Sequence, residues 1–398
     1  MTNPNTKIPF FQPSIGWREQ QAVRRVMRRR WLTTGPEALA FEKEFAAVLE
    51  SGAPDSSKAP IQAISVNSAT AGLRLALEAV GVGPGDYVAV PSLTFTATAG
   101  TVRHLGAHPL FVDSLENGGT LSPSHLEQMV LQLKSKGKYL KAVIPVHLAG
   151  RVCDINAIRR ALGESPTLII EDSAHAFPSR TKEGMAGDLG DIGVFSFYAT
   201  KTITTGEGGM VCTRNPDFLQ RISLMRLHGI DRTVWNRYGA NAGHRPWEYD
   251  IQAPGDKCNL PDLCAAIGRV QLQRANHLHQ QRKNLAHLYL KYLEDLPQVQ
   301  CPQDAEGHAW HLFAIRLKNE ETRNQVSEFL EKRGIGTSVH FIPLHTMSYW
   351  KRSSLIQAET LPVATSLGCQ SLSLPLWPGM GKKEIKRVTQ GLREALNA

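Results

Sequence analysis

The feature of this sequence that most constrains its fold is an alternation, from residue 61 to residue 213, of short apolar runs with amphipathic helical patterns. Strands that alternate with helices predict an α/β fold: a mostly parallel central sheet with helices on both faces. Sheets of this kind bind their ligands at the carboxyl ends of the strands. The predicted strands are 61–66, 87–91, 108–112, 142–146, 167–171, 192–198 and 209–213.

The rest of the chain follows other patterns. Two helices are predicted before the alternating region, and a long helix is predicted over 261–293 after it. Beyond Pro297 the pattern becomes that of a smaller α+β unit. We therefore expect a large domain over 1–265 and a smaller domain, with the connecting helix, over 266–398. The elements predicted for the smaller unit are strands at 310–317, 336–342 and 371–376 and helices at 321–333 and 383–396.

Composition excludes several classes of protein. No apolar run approaches the ~18 residues that a membrane span requires, and the first residues lack the charged-then-apolar pattern of a signal peptide. We therefore expect no membrane partner. The six scattered cysteines do not form a disulfide scaffold, so we expect a cytoplasmic protein. The net charge of +9 suits an anionic small substrate, but it also fits a nucleic-acid partner or a solvated basic surface. No nucleic-acid-binding motif is present, and we predict no such partner.

Two residues near the ends of predicted strands are candidates for a chemical role in a functional site. Asp172 ends an apolar run, where a carboxylate is costly to bury unless it is paired. Lys201 follows another apolar run among aromatic and small residues, and a desolvated lysine there is a candidate imine-forming nucleophile. Taken alone, each also fits a plain structural role, as a capping aspartate and a surface lysine. The Thr- and Gly-rich run 202–209 suits a turn that faces a phosphate.

Two further segments join strands to helices. The segment 67–73 places free N–H groups at a helix start, where phosphate binds, although its Ser and Thr are also ordinary N-caps. Phe95 follows a strand end and either stacks on a planar ring or packs in the core. The Cys258 and Cys264 pair lacks zinc-ligand spacing, and we predict no metal site.

In chain order these elements are a phosphate cup, an aromatic residue, an aspartate and a lysine, with 29 residues from Asp172 to Lys201. This order resembles the fold type I pyridoxal-phosphate enzymes and, more narrowly, the DegT/StrS-type nucleotide-sugar aminotransferases. The resemblance covers nearly the whole chain. The matching motifs are Leu32-Thr33-Thr34-Gly35-Pro36, Phe41-Glu42, Val146-His147-Leu148-Ala149-Gly150, Glu171-Asp172-Ser173-Ala174-His175-Ala176, Lys201 with Gly206-Glu207-Gly208-Gly209, Arg226-Leu227-His228-Gly229, Ala265-Ala266-Ile267-Gly268, Pro343-Leu344-His345 and Leu374-Pro375-Leu376-Trp377-Pro378.

The resemblance implies a role for each matching residue. Lys201 would form the Schiff base with pyridoxal phosphate and then shuttle the proton, and Asp172 would pair with the protonated pyridine nitrogen. Phe95 would stack on the ring, and His175 would lie near its O3′ side. The residues implied to hold the phosphate are Ala69 through its N–H, Thr70 and Ser196.

One segment departs from the family pattern. Many members carry Gly-Tyr-Asn-Tyr-Arg before the paired alanines, where the Asn reaches the phosphate of the partner subunit. Here Lys257 stands in the Asn position and Asn259 in the Arg position. The resemblance implies that these two residues bind the cofactor across the interface of a homodimer that shares its active sites.

The resemblance implies a pyridoxal-phosphate-dependent aminotransferase. It would move an amino group from L-glutamate to the keto-sugar of a nucleoside-diphosphate sugar by a ping-pong Schiff-base mechanism through the pyridoxamine form. The Trp- and Arg-rich segment 230–257, with Trp235, Trp247, Arg232, Arg237 and Arg245, is the candidate nucleotide contact.

Three alternatives remain. A cyclitol ketone is a second possible acceptor for the same site. A second alternative is a sugar dehydratase. That branch of the family replaces the lysine with histidine, so Lys201 argues against this hypothesis. A non-enzymatic regulatory or DNA-binding protein fits least well, because folding alone does not require this constellation.

Overall fold

The computed structural model describes residues 7–52, 57–232, 247–352 and 361–397. Its strands are β1 Gln62–Val66, β2 Tyr87–Pro91, β3 His108–Val112, β4 Leu140–Val143, β5 Leu168–Asp172, β6 Arg180–Thr181, β7 Gly184–Met185, β8 Ile192–Ser196, β9 Gly209–Thr213, β10 Phe313–Arg316 and β11 Ser371–Leu374. The main sheet has seven strands in the order β1-β9-β8-β5-β4-β2-β3. All of its strands run parallel except β9, which is antiparallel to both β1 and β8. The predicted mostly parallel sheet is therefore confirmed.

The antiparallel direction of β9 follows from its connection. A parallel crossover needs a dozen or more residues and usually a helix, whereas the loop 197–208 between β8 and β9 contains no helix and turns straight back. As a result the amino end of β9 meets the carboxyl ends of β1, β5 and β8 at one edge of the sheet. The predicted chemical groups lie along this edge.

Helices cover both faces of the sheet because successive strand side chains point to opposite faces. Val194 packs with the helices on one face, and its neighbour Phe195 packs with those on the other. Gly72 allows close approach, since a Cβ there would lie 2.8 Å from a methyl carbon of Val194. The helices are α1 Trp17–Arg29, α2 Pro36–Glu50, α3 Ala69–Ala79, α4 Thr96–His104, α5 Pro123–Ser135, α6 Ile155–Leu162, α7 Pro216–Met225, α8 Asp262–Leu293, α9 Glu320–Lys332, α10 Ser348–Lys351, α11 Pro362–Gln370 and α12 Lys382–Asn397. Of these described helices, none is apolar over enough of its length to cross a membrane.

A second core forms around the two-stranded sheet of β10 and β11. Its buried side chains come from the end of α8, from α9 and from α12, and they include Tyr289, Leu330 and Leu392. We propose that this core belongs to the smaller domain, with the division at residue 265 falling in the first turn of α8.

Several predicted strands differ in the structure. Those at 192–198, 310–317 and 371–376 are shorter, as Ile192–Ser196, Phe313–Arg316 and Ser371–Leu374, and two others differ more. The interpretation of 336–342 as a strand is wrong, because Ser338 forms only an isolated bridge with Ser373, while Ile335, just before the segment, pairs with Ile8. The strand predicted over 142–146 ends instead at Val143. Pro145 lacks an N–H and cannot continue the ladder, although its carbonyl accepts a bond from the Asp172 N–H at 2.9 Å.

Two buried carboxylates hold α2 in place, one against the start of α8 and one against the sheet. The Asp262 carboxylate accepts bonds from the N–H groups of Gly35 and Ala38 at 2.8 and 3.0 Å, which caps the start of α2. The Glu42 carboxylate accepts from Arg226 Nη1 at 2.6 Å and from the Ser65 N–H at 2.9 Å, which braces β1. These contacts give several of the motif residues a structural role.

Candidate active site

Asp172 ends β5 and is 6% exposed. Its Oδ2 accepts a bond from Thr98 Oγ1 at 2.9 Å, and its Oδ1 accepts from the Ala174 N–H at 3.2 Å. Burial raises the pKa of this carboxyl above its ordinary value, while the two donors and the Lys201 ammonium oppose that rise. Asp172 is thus a buried carboxylate that needs a cationic partner.

Lys201 lies in the loop between β8 and β9. Its backbone N–H donates to the Tyr198 carbonyl at 2.9 Å, and the neighbouring Thr202 hydroxyl donates to the Phe177 carbonyl at 2.5 Å. Burial lowers the pKa of the Lys201 amine to about 8, and the Asp172 carboxylate opposes that shift. A substantial share of this amine is therefore neutral near pH 8, as a nucleophile or base requires.

The start of α3 forms the predicted phosphate cup. The Ser68 hydroxyl accepts a bond from the Ala71 N–H at 3.1 Å, but the N–H groups of Ala69 and Thr70 have no acceptor in the part of the chain that the structure describes. Thr70 is also exposed. Free N–H groups at a helix start bind anions.

The strand ends bring Ser196 to this cup. The register aligns Val66, Gly209 and Ser196 side by side across β1, β9 and β8. A Cβ on Gly209 would lie 2.8 Å from the Ala69 nitrogen, so only glycine permits this close approach of β9 to α3. Ser196 is half-buried, and its hydroxyl accepts a bond from the Tyr198 N–H at 3.3 Å.

Phe95 stands immediately before α4 and is 58% exposed. Its ring centroid lies 6.0 Å from that of Phe341. Of the two interpretations offered by the sequence, core packing is therefore wrong. An exposed ring at a strand end is available to stack on a planar ligand.

Histidines form a wall beside Lys201. His175 Nδ1 accepts a bond from the Ala149 N–H at 3.3 Å, and its ring centroid lies 4.4 Å from that of His311. Burial and then the Lys201 cation hold the pKa of His175 well below its usual value, and the same two causes lower the pKa of His340 to about 4. His311 is likewise held well below its usual pKa, first by burial. The wall is polar but uncharged near neutral pH.

Sequence reasoning missed three contributors to this site. The Thr98 hydroxyl contacts Asp172, and its position in the first turn after β2, at the ligand-binding edge, was a usable signal. His311 and His340 come from the chain beyond α8, and no spacing in the sequence links them to Lys201.

A second buried pair supports β5 next to Asp172. His147 Nδ1 accepts a bond from the Cys153 N–H at 3.0 Å, so the ring proton is on Nε2 and donates to Glu171 at 2.7 Å. Glu171 also accepts from the N–H groups of Gly187 and Gly190 at 2.9 and 2.6 Å. Burial acts to raise the pKa of Glu171, but these bonds hold it below its usual value.

Lys257 and Asn259 lie beside the end of β1. Asn259 pairs with Val66, and the intervening Cys258 carbonyl accepts from the Asn67 N–H at 2.7 Å. Lys257 Nζ donates to the Asn259 side chain, whose own amide donates to Thr34 Oγ1 at 2.6 Å. Both residues therefore lie close to the phosphate cup, and their predicted contact across an interface stays a prediction.

The candidate nucleotide segment is described only in part. Trp235, Arg237 and Arg245 lie outside the described residues. Trp247 is 69% exposed, and Arg232 Nη1 donates to the Glu248 carbonyl at 3.1 Å.

These groups fit pyridoxal phosphate by their chemistry. Two free N–H groups and a hydroxyl at the start of α3 suit a phosphate, and Phe95 offers an aromatic face. The buried Asp172 carboxylate suits a protonated ring nitrogen, and the Lys201 amine suits the aldehyde.

Comparison with known proteins agrees with this fit to pyridoxal phosphate. Residues 13–393 match the DegT/DnrJ/EryC1/StrS aminotransferase family. The spore coat polysaccharide biosynthesis protein SpsC of Bacillus subtilis is 38% identical over 396 residues, covering 98% of this chain and 97% of that protein.

Solved structures are similar to this chain as well and support the same family. Spr1654 of Streptococcus pneumoniae, assigned as a sugar aminotransferase and solved in PLP and PMP forms, is 29% identical, and its PLP form has a TM-score of 0.87 over 98% of this chain and 99% of its own. DesI, solved in the presence of its TDP-sugar product, is 26% identical, with a TM-score of 0.82 over 98% of this chain and 93% of its own. The chain therefore belongs to the DegT/DnrJ/EryC1/StrS aminotransferase family and is a sugar aminotransferase of fold type I whose cofactor is pyridoxal phosphate.

Proposed function

We propose that this enzyme transfers the amino group of L-glutamate to a keto-sugar carried on a nucleoside diphosphate. The observation that carries the proposal is the Lys201 amine, with its pKa lowered to about 8, facing the buried Asp172 carboxylate beside the free N–H groups of α3.

Each residue has a defined task in this reaction. Pyridoxal phosphate, when bound, supplies an electron sink for the carbon that loses or gains the amino group. Lys201 carries a proton to and from that carbon, which a group titrating near the working pH does efficiently. Asp172 keeps a proton on the ring nitrogen, and the Thr98 and Ala174 donors keep Asp172 ionised. Ala69, Thr70 and Ser196 hold the phosphate.

The choice of substrates has separate support. Structures of Spr1654 in PLP and PMP forms are the two states between which a ping-pong transfer alternates. The TDP-sugar product of DesI supports a nucleotide-sugar acceptor, and the net charge of +9 favours an anionic substrate.

We also propose a homodimer in which Lys257 or Asn259 reaches the site of the partner. Large apolar side chains stay exposed on the described surface, including Trp17 at 70%, Trp247 at 69% and Ile251 at 63%. Such surfaces mark protein interfaces when they are contiguous. All six cysteines are free in the structure, which supports a cytoplasmic location.

The first test is the visible absorbance spectrum of the purified protein before and after addition of L-glutamate. We expect a yellow protein that bleaches with L-glutamate, whereas the Lys201→Ala variant does not. A wild-type protein that stays colourless with added pyridoxal phosphate would contradict the proposal.

The second test identifies the acceptor. Protein converted to the amino form is mixed with nucleoside-diphosphate keto-sugars, and the return of the yellow colour is followed. Recovery with a cyclitol ketone but with no nucleotide sugar would replace the proposed acceptor.

A further inference from the structure

A cavity of about 90 Å³ lies at the seam between the main sheet and the smaller C-terminal unit. We call it the seam cavity. Its walls include Arg151 and Gly118 from the large unit and Arg316, His308 and His340 from the residues beyond α8. Its floor is apolar and is formed by leucines, among them Leu93, Leu148 and Leu312.

The charges in this cavity do not cancel. Arg316 Nη2 contacts the Glu116 carboxylate and the Gln370 side chain at 3.2 and 3.1 Å, so that guanidinium is already paired. The Arg151 guanidinium has neither an acidic partner nor a hydrogen-bond acceptor within the described ranges. The half-buried Arg151 guanidinium is therefore available to bind an anion.

The surrounding chain makes room for this cation. Gly118 has φ +92°, and a Cβ there would lie 2.4 Å from Arg151 Cδ, so the arginine stem occupies space that only glycine leaves open. His308 lies beside Arg151, and its Nδ1 accepts a bond from the Trp310 N–H at 2.9 Å. Its ring proton is then on Nε2, which is a second donor on the cavity wall.

The seam cavity adjoins the active site. His340 lines the cavity and also lies close enough to Lys201 to feel its charge: burial and then the lysine cation lower the pKa of His340 to about 4. Ala149, two residues before Arg151, lines the cavity and donates its N–H to His175 at 3.3 Å. A molecule that reacts at Lys201 can therefore place a remote arm between these histidines.

The volume of the seam cavity limits which part of a substrate can enter it. An apolar cavity of 150 Å³ holds a benzene ring, so a cavity of about 90 Å³ is too small for a nucleotide or a sugar ring. It suits a short chain that ends in a carboxylate, with its methylenes on the leucine floor. We propose that the seam cavity binds the side-chain carboxylate of the amino donor, with Arg151 as its counter-ion. This inference rests on the proposed L-glutamate donor.

The test measures binding and reaction separately in the pyridoxal-phosphate enzyme. Glutarate, which has the two carboxylates but no amine, is titrated by calorimetry into the wild type and Arg151→Met. A hydrogen-bonded charge pair predicts a loss of affinity of about 10- to 100-fold in Arg151→Met. Arg151→Lys should keep part of the affinity. Arg160→Met is the matched control, because Arg160 is an exposed arginine on α6 away from the cavity, and it should bind like the wild type.

The reaction arm compares donors. In Arg151→Met the L-glutamate concentration for half-bleaching should rise by a similar factor, whereas that for L-alanine, which lacks the side-chain carboxylate, should not change. Equal glutarate affinity in Arg151→Met and wild type, or no glutarate binding to wild type, would overturn the seam site. Arg151-dependent glutarate binding without bleaching by L-glutamate would instead retain the site and overturn the proposed donor.

Discussion

The Thr98→Val substitution tests how the chain keeps Asp172 ionised. The Thr98 hydroxyl donates to Asp172 Oδ2 at 2.9 Å, and the Thr94 hydroxyl in turn donates to Thr98 at 2.9 Å. Valine has nearly the same shape but no donor, so Asp172 keeps only the Ala174 N–H at 3.2 Å. A hydrogen bond to a charged group contributes about 1.5–3 kcal/mol. At 1.36 kcal/mol per pKa unit, its loss should raise the pKa of Asp172 by about 1–2 units.

The direction of the effect follows from the role of the carboxylate. Burial already raises the pKa of Asp172, and losing a donor raises it further, so the acidic form persists to higher pH. Only the carboxylate pairs with a protonated ring nitrogen. We therefore expect the acidic limb of pyridoxal-phosphate affinity to move up by about 1–2 pH units, with little change at high pH.

The assay is an absorbance titration of cofactor-free protein with pyridoxal phosphate at a series of pH values. Thr101→Val is the matched control, because the Thr101 hydroxyl is equally buried in α4 but donates to the Ala97 carbonyl at 3.0 Å. An acidic limb that is the same in Thr98→Val and Thr101→Val would refute the reasoning.

Four further predictions concern Lys201 and two ion pairs of α2. Lys201→Ala protein should bind pyridoxal phosphate without the spectral change that the wild type shows, as absorbance will reveal. Because the pKa of Lys201 is lowered to about 8, the rate of cofactor capture by cofactor-free wild type should rise with pH through about 8 and then level off; a rise that continues towards ~10.4, the value of an ordinary lysine, would contradict this. Glu42→Gln leaves the Arg226 charge buried without its partner and should lower the free energy of unfolding by about 3–5 kcal/mol in urea titrations. Glu44→Gln, which breaks the more exposed pair with Arg269, should cost about 1 kcal/mol or less.

Much of the main sheet could be predicted because its information is local. Strands at 87–91, 108–112 and 209–213 were predicted with the observed bounds, since each is an apolar run that ends at turn residues. In the predicted strand 336–342, Ser338 pairs with Ser373, and the preceding residue Ile335 pairs with Ile8; both partners come from distant parts of the chain. Nothing local indicates that such a run will be divided between two partners.

The candidate site could likewise be predicted only in part. Asp172 and Lys201 could be singled out because each follows an apolar strand, and parallel strand ends meet at one edge of a sheet. Thr98 reaches Asp172 across 74 residues, and His340, which lies far along the chain from Lys201, comes close enough to feel the charge of the lysine. The pKa values of these groups depend on burial, which the order of residues does not state.

The α/β class could be predicted from the sequence because periodicity is a property of neighbouring residues. The family and the cofactor were implied by the resemblance of its motifs to a known family, and the comparisons confirm both. Three features depend on the folded chain: Phe95 stays exposed, the histidine wall beside Lys201 is uncharged, and Arg151 has no partner among the residues that the structure describes. Exposure and unpaired charge are set by what packs around a side chain. That packing joins segments which are hundreds of residues apart, and no local pattern encodes it.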